Sequence, residues 1–144
     1  MDEGKERFES LTLLRKSETV FPDSPSASTL EVFANRDAGR DYEITFACPE
    51  FTSLCPVTGQ PDFGEIELRY IPGKSCVESK SLKIYLYSFR NHQSFHEEAV
   101  NRILTDVVAA CAPKWAEVTG RFRPRGGISI NVRASTKSLL PAKP

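Results

Sequence analysis

Residues 78–113, ESKSLKIYLYSFRNHQSFHEEAVNRILTDVVAACAP, hold two helical patterns in immediate succession. From Glu78 to Asn91 the apolar positions Leu82, Tyr85, Leu86 and Phe89 recur at helical spacing. Phe95, Ala99, Ile103, Val107 and Cys111 continue that spacing on a second helix, which Pro113 closes because proline lacks the amide a helix needs. Ser94-Phe95-His96-Glu97 reads as a capping box at the start of the second helix, serine and glutamate each satisfying an orphan backbone amide.

On both sides the period changes to two. Tyr42, Ile44 and Phe46 alternate with Glu43, Thr45 and Ala47, and Ile66, Leu68 and Tyr70 alternate with Glu65, Glu67 and Arg69, which predicts two half-buried strands. The segment SLCPVTGQPDFGE, residues 53–65, joins them as a loop. Val118 and Phe122 set against Glu117, Thr119, Arg121 and Arg123 predict a third strand. Ile128, Ile130 and Val132 predict a fourth after the turn RPRGG, residues 123–127. The order ββααββ is an α+β fold, one antiparallel four-stranded sheet with two helices on one face. The other face is left either to solvent or to another subunit.

At 144 residues the chain fits one domain that can bury a core without a disulfide or metal staple. We read residues 1–28 as a polar N-terminal arm ending in FPDSPSAS, 29–133 as the domain, and 134–144 as a C-terminal tail. Nineteen basic and nineteen acidic side chains cancel and are scattered, which argues against a nucleic-acid partner. The first ten residues contain no apolar signal segment, and the longest apolar run, Val107 to Ala112, is far below the ~20 residues of a membrane span. The expectation is a cytoplasmic protein with no membrane partner and with Cys48, Cys55, Cys76 and Cys111 as free thiols.

Cys55 stands out among the four. Pro56, Gly59 and Pro61 mark an irregular connection, and such connections run over the surface, so the thiol is expected to be accessible and held in one place. Its competing reading is a small buried hydrophobe. A reactive thiol needs a cation, a helix N-terminus or a base to lower its pKa. Asp62, seven residues on, would raise it, so that carboxyl suits proton exchange with a substrate better. His92 and His96 are four apart, yet the cap signal at Ser94 falls between them and there is no C-x-x-C pair, so no metal site is expected.

The stretch ESKSLKIYLYSFRN, with CPEFTSLCPVTGQPDFG from Cys48, SFRNHQSFHEEAVNRI from Ser88 and RFRPRGGISI from Arg121, resembles the single-domain NADPH-dependent 7-cyano-7-deazaguanine reductases of queuosine biosynthesis. The resemblance covers about residues 40–131 and leaves out both arms. It implies a tunnelling fold, in which strands of several subunits close a barrel and sites lie between neighbours of a homo-oligomer. It also implies a covalent thioimide, with Cys55 matching the nucleophile, Asp62 the proton donor, and two NADPH consumed per nitrile. The family's substrate-binding positions fall on Val77, Glu78, Ser79, His96 and Glu97.

Each of these has an ordinary alternative. Glu97 fits the capping box, Glu78 a first-turn acid that favours the helix dipole, and His96 a surface histidine at a helix start. Phe95 fits either a substrate stack or the core stripe. With no G-x-G-x-x-G, a Rossmann mode for the cofactor is excluded, and Lys80, Lys83 and Arg125 are the candidates for its phosphates. Their alternative is a solvated helix face and a basic turn. A cyclohydrolase-like zinc enzyme or a pterin-binding member of the fold would need a Cys/His constellation that the sequence does not supply.

Overall fold

The computed structural model describes residues 20–143. A 3-10 turn at Ala27–Thr29 is followed by β1 (Val32–Ala34), β2 (Ile44–Leu54), β3 (Pro61–Ile71), β4 (Ser75–Val77), α1 (Ser79–Tyr87), α2 (His96–Cys111), β5 (Trp115–Arg125) and β6 (Ile128–Ser135). The large sheet is antiparallel in the order β2-β3-β5-β6, and β1 pairs with β4 in a separate antiparallel ribbon. The ββααββ order is therefore present, with the small ribbon added. Three-residue strands are too short for a period-two signal, which is why the ribbon left no mark in the sequence.

Both helices lie on the face formed by Ile66, Leu68, Tyr70, Ala116, Val118 and Phe122. Val100, Ile103 and Val107 of α2 are fully buried against it, and each contributes about 1.5–3 kcal/mol of apolar burial. That sum is comparable with the whole net stability of a domain. Helix α2 stops at Ala112, which takes the left-handed conformation at φ 44° and sends its amide back to Val108, ahead of Pro113.

Several expectations shift. Helix α1 ends at Tyr87, and residues 88–91 close in tight turns. The capping box at Ser94 is absent: Phe95 is the N-cap residue, with no side-chain cap bond, and the Ser94 hydroxyl donates to the Phe95 carbonyl instead. The expected arm reaches into the described residues only from 20 onward, where Pro25 is buried and its carbonyl accepts from Arg102 at 2.7 Å; residues 1–19 lie outside the described residues. The tail expected from residue 134 begins inside β6.

The sheet face away from the helices carries charge. Arg69 bonds Glu43 at 2.8 Å and stands 3.7 Å from Glu117, and Arg121 stands 3.9 Å from Glu67. At its Pro61 end the same face also carries Phe63, 52% exposed. Among the described residues no helix is long and apolar enough to cross a membrane.

Candidate functional site

Two β-bulges build the site. In β2 the register slips between Cys48 and Phe51, and in β5 it slips between Phe122 and Arg125. Each bulge adds one residue, and with a side-chain period of two one extra residue inverts the facing of everything beyond it. Ile44, Phe46 and Cys48 face the helices; without the bulge at Pro49–Glu50 the inward set would continue as 50, 52 and 54. With it, Phe51, Ser53 and Cys55 point inward. In β5 the same device puts Arg125 on the face of Phe122.

Asp62 needs no such correction. It continues the inward row of Gly64, Ile66, Leu68 and Tyr70, faces Ser53 across the ladder, and is only 4% exposed. The Arg125 guanidinium reaches it at 2.7 Å. Cys55 follows directly after β2, in a turn where its amide donates to the Gln60 carbonyl and its carbonyl accepts from Gly59, whose φ of 69° suits glycine.

The expected surface thiol is thus corrected: Cys55 is 9% exposed, and the loop presents Val57 to solvent in its place. The sulfur nevertheless lies outside the hydrophobic core cluster. The Thr58 side chain and the backbone of Thr58 and Val57 bond it, burial opposes them, and Arg125 adds a further bond, so the thiol is lowered to about 7. By contrast, burial alone raises Cys48, and burial with the nearby Cys76 raises Cys111 to about 11.

The start of α2 is fastened beside this turn. The Leu54 amide donates to the His92 carbonyl and the Ser94 amide to the Leu54 carbonyl, both at 3.0 Å. His92 therefore belongs to the turn before α2 and His96 to its first residue, so the two do not share a helix face. His96 is buried and stacks on Phe122 with ring centroids 4.0 Å apart at 20°. Room for that ring comes from two glycines, since a Cβ at Gly64 would meet Phe122 at 2.9 Å and one at Gly120 at 2.8 Å. The buried His96 Nδ1 and Ser53 Oγ have no hydrogen-bond partner among the described residues. The Glu97 carboxylate makes neither a cap bond nor an ion pair among the described residues and is exposed in the first turn.

Val77, Glu78 and Ser79 lie elsewhere. The buried Val77 amide donates to the Tyr70 hydroxyl, and Tyr70 is eight residues along β3 from Asp62, about 26 Å of strand. One chain does not bring these two groups of residues together. Glu78 is the N-cap of α1, its carboxylate accepting from the Lys80 and Ser81 amides at 2.7 and 2.8 Å, and those bonds lower its pKa. Ser79, Lys80 and Lys83 are exposed on α1.

Ser53, Thr58 and Phe122 were not singled out by the sequence. Ser53 shares its alternation with Cys55, which is a weak signal; Thr58 and Phe122 left none beyond an ordinary turn and an ordinary core strand. Among the described residues no group of three or more His, Cys, Asp and Glu side chains could hold a metal ion.

Residues 61–140 match the family described as QueF-like protein. The chain is 55% identical over 127 residues to the NADPH-dependent 7-cyano-7-deazaguanine reductase of Streptococcus thermophilus, covering 88% of this chain and 78% of that relative. It is 51% identical over 131 residues to the enzyme of the same name from Neisseria meningitidis serogroup B, covering 91% and 83%. Among solved structures, the archaeosine synthase QueF-Like in its apo form superposes with a TM-score of 0.60 at 24% identity, over 69% of this chain and 96% of that one, a likeness of fold.

Proposed function

Because this chain belongs to the QueF-like family, we propose that it reduces the nitrile of 7-cyano-7-deazaguanine to the primary amine at the expense of two NADPH, as a step of queuosine biosynthesis. The observation that carries the reading is the convergence of Cys55, Asp62 and Arg125 on one sheet face, with the thiol lowered to about 7.

A nitrile carbon is a poor electrophile and calls for a strong, soft nucleophile. Lowered to about 7, the Cys55 thiol supplies thiolate at neutral pH more readily than an ordinary thiol does. Sulfur bonds to the nitrile carbon, one C–N π bond breaks, and the nitrogen takes a proton that the Asp62 carboxylate relays from the Cys55 thiol or from solvent, which gives a covalent thioimide. Reduction of the thioimide carbon, expulsion of the Cys55 thiolate and reduction of the resulting imine complete the sequence. Nitrile, two NADPH and two protons become amine and two NADP+. The cofactor supplies the hydrides; the chain holds the carbon and manages the protons.

The orphaned His96 Nδ1 and the unpartnered Glu97 carboxylate are suited to the polar edge of the heterocycle, a carboxylate accepting from adjacent N–H groups in bidentate fashion. Val77 bonds the hydroxyl of Tyr70, which is about 26 Å of strand from Asp62, so a part for Val77, Glu78 and Ser79 in the same site calls for a second subunit. Strands β2 and β6 are the two edges of the sheet, and pairing them between neighbours would close a barrel and remove both edges. The working form is accordingly a homo-oligomer with sites between subunits, acting on a free small molecule rather than on nucleic acid, in the cytoplasm.

The test is intact-protein mass after incubation with the nitrile alone. Wild type should gain the mass of the nitrile compound and Cys55→Ala should not. Equal adducts in both would remove Cys55 as the nucleophile.

A further inference from the structure

We propose that Ser53 is a positioning residue for the proton relay: its hydroxyl answers the Asp62 carboxyl as that group gains and loses its proton. This rests on the reductase reading above and adds to it a residue that acts through Asp62 rather than on the nitrile. Ser53 is fully buried, and its Oγ and the His96 Nδ1 are the buried side-chain polar atoms without a hydrogen-bond partner among the described residues. The histidine atom has a use at the edge of the heterocycle; the serine has none so far.

The other buried serines are all answered by backbone. Ser81 Oγ donates to the Glu78 carbonyl at 2.8 Å and accepts from the Glu31 amide at 2.9 Å, Ser88 Oγ donates to the Tyr85 carbonyl, and Ser94 Oγ donates to the Phe95 carbonyl. A buried hydroxyl without a partner costs stability, and an alanine at the same place would carry no such cost. Packing alone gives no reason for a hydroxyl at position 53.

Its place supplies one. The bulge of β2 turns Ser53 and Cys55 to the inner face together, and Ser53 is the direct cross-strand partner of Asp62. Side chains paired in this way have Cβ atoms about 4.5–5.5 Å apart, which brings hydroxyl and carboxyl within one side-chain rotation of a bond. Arg125 takes Oδ1 of Asp62, and no other hydrogen bond to that carboxyl occurs among the described residues.

The relay passes through two forms of Asp62, carboxylate and carboxylic acid. A guanidinium carries donors and no acceptor, so Arg125 answers only the first. A hydroxyl donates to the carboxylate and accepts from the O–H of the acid, so Ser53 answers both. The relayed proton reaches Asp62 from the Cys55 thiol or from solvent and leaves to the nitrile nitrogen, while Ser53 keeps its own proton throughout.

The experiment compares wild type, Ser53→Ala, Ser53→Thr, Asp62→Asn and the Ser53→Ala/Asp62→Asn double variant. It reads the rate of adduct formation by mass at saturating nitrile without NADPH, the nitrile KM in the full reaction, the rate of Cys55 alkylation, and Tm. In Ser53→Ala the adduct should form about tenfold more slowly, with nitrile KM and Cys55 alkylation unchanged and Tm equal or higher. Ser53→Thr, which keeps the hydroxyl, should recover part of the rate, and the double variant should be no slower than Asp62→Asn, because the serine acts through the acid. Adduct formation at the wild-type rate in Ser53→Ala, losses that multiply in the double variant, or no recovery in a Ser53→Thr protein of wild-type Tm overturns the proposal and leaves the reductase reading standing. A Ser53→Ala protein that fails to fold or alkylates slowly overturns it too, since the hydroxyl then serves the fold. Asp62→Asn at the wild-type rate removes Asp62 from the relay and Ser53 with it, whereas absence of the adduct in wild type defeats the reductase reading itself.

Discussion

Arg125 and Asp62 lie 63 positions apart in the chain and 2.7 Å apart in space, and the same guanidinium helps to lower the Cys55 thiol. A cation, an acid and a thiol therefore meet at one end of the sheet.

The first prediction concerns that thiol. Alkylation of Cys55 followed by mass spectrometry against pH should be half-maximal near pH 7, with Cys111 unreactive until far higher pH. Thr58→Val should move the Cys55 midpoint upward, because the Thr58 hydroxyl is the strongest of the bonds to sulfur; Arg125→Met should move it the same way by less. Since the folded thiol lies below its unfolded value, its contribution to stability is present above the unfolded value and is lost as pH falls through about 7. A midpoint at the ordinary thiol value in wild type would dismiss the preset thiolate.

Gly120→Ala should damage the platform beneath His96. The added Cβ would stand 2.6 Å from Val100 and 2.8 Å from the Phe122 ring, both buried and unable to retreat. Overpacking of this kind costs about 1–3 kcal/mol in urea unfolding. Gly39→Ala, where nothing lies within 4 Å, is the control and should change little.

Glu78→Ala removes both side-chain bonds at the start of α1 and should lower Tm by about 3–5 °C in the absence of any ligand. The Glu78 carboxyl is held below the usual carboxylate range, so the stability it adds is present at neutral pH and lost as pH falls through its folded value. The Tm difference between wild type and variant should shrink in acid; a constant difference would mean the cap is not what stabilises the helix.

Mixing tests the shared site. If Cys55 comes from one subunit and Glu78 from its neighbour, then Cys55→Ala and Glu78→Gln proteins, each inactive, should recover roughly a quarter of wild-type sites when unfolded and refolded together in equal amounts. No recovery from a mixture that reassembles would place both residues in the same subunit's site.

Much of the fold is legible in the sequence alone. Leu82, Tyr85, Phe89, Ile103 and Val107 announced two helices, and Ile66, Leu68 and Tyr70 a strand, because burial on one face imposes a period that short-range spacing records. Cys55 and Asp62 were visible as chemistry within one local segment. The partners of that chemistry were not. A bulge leaves only a faint trace in sequence, here Pro49, yet it decides on which face Cys55 lies; the guanidinium that helps to lower the thiol arrives from a strand 70 residues away; and Ser94 has no cap role, its amide being paired with Leu54 and the N-cap position taken by Phe95. Periodicity is a property of neighbours along the chain, whereas facing, pairing and charge partnership are settled only when distant strands come into register.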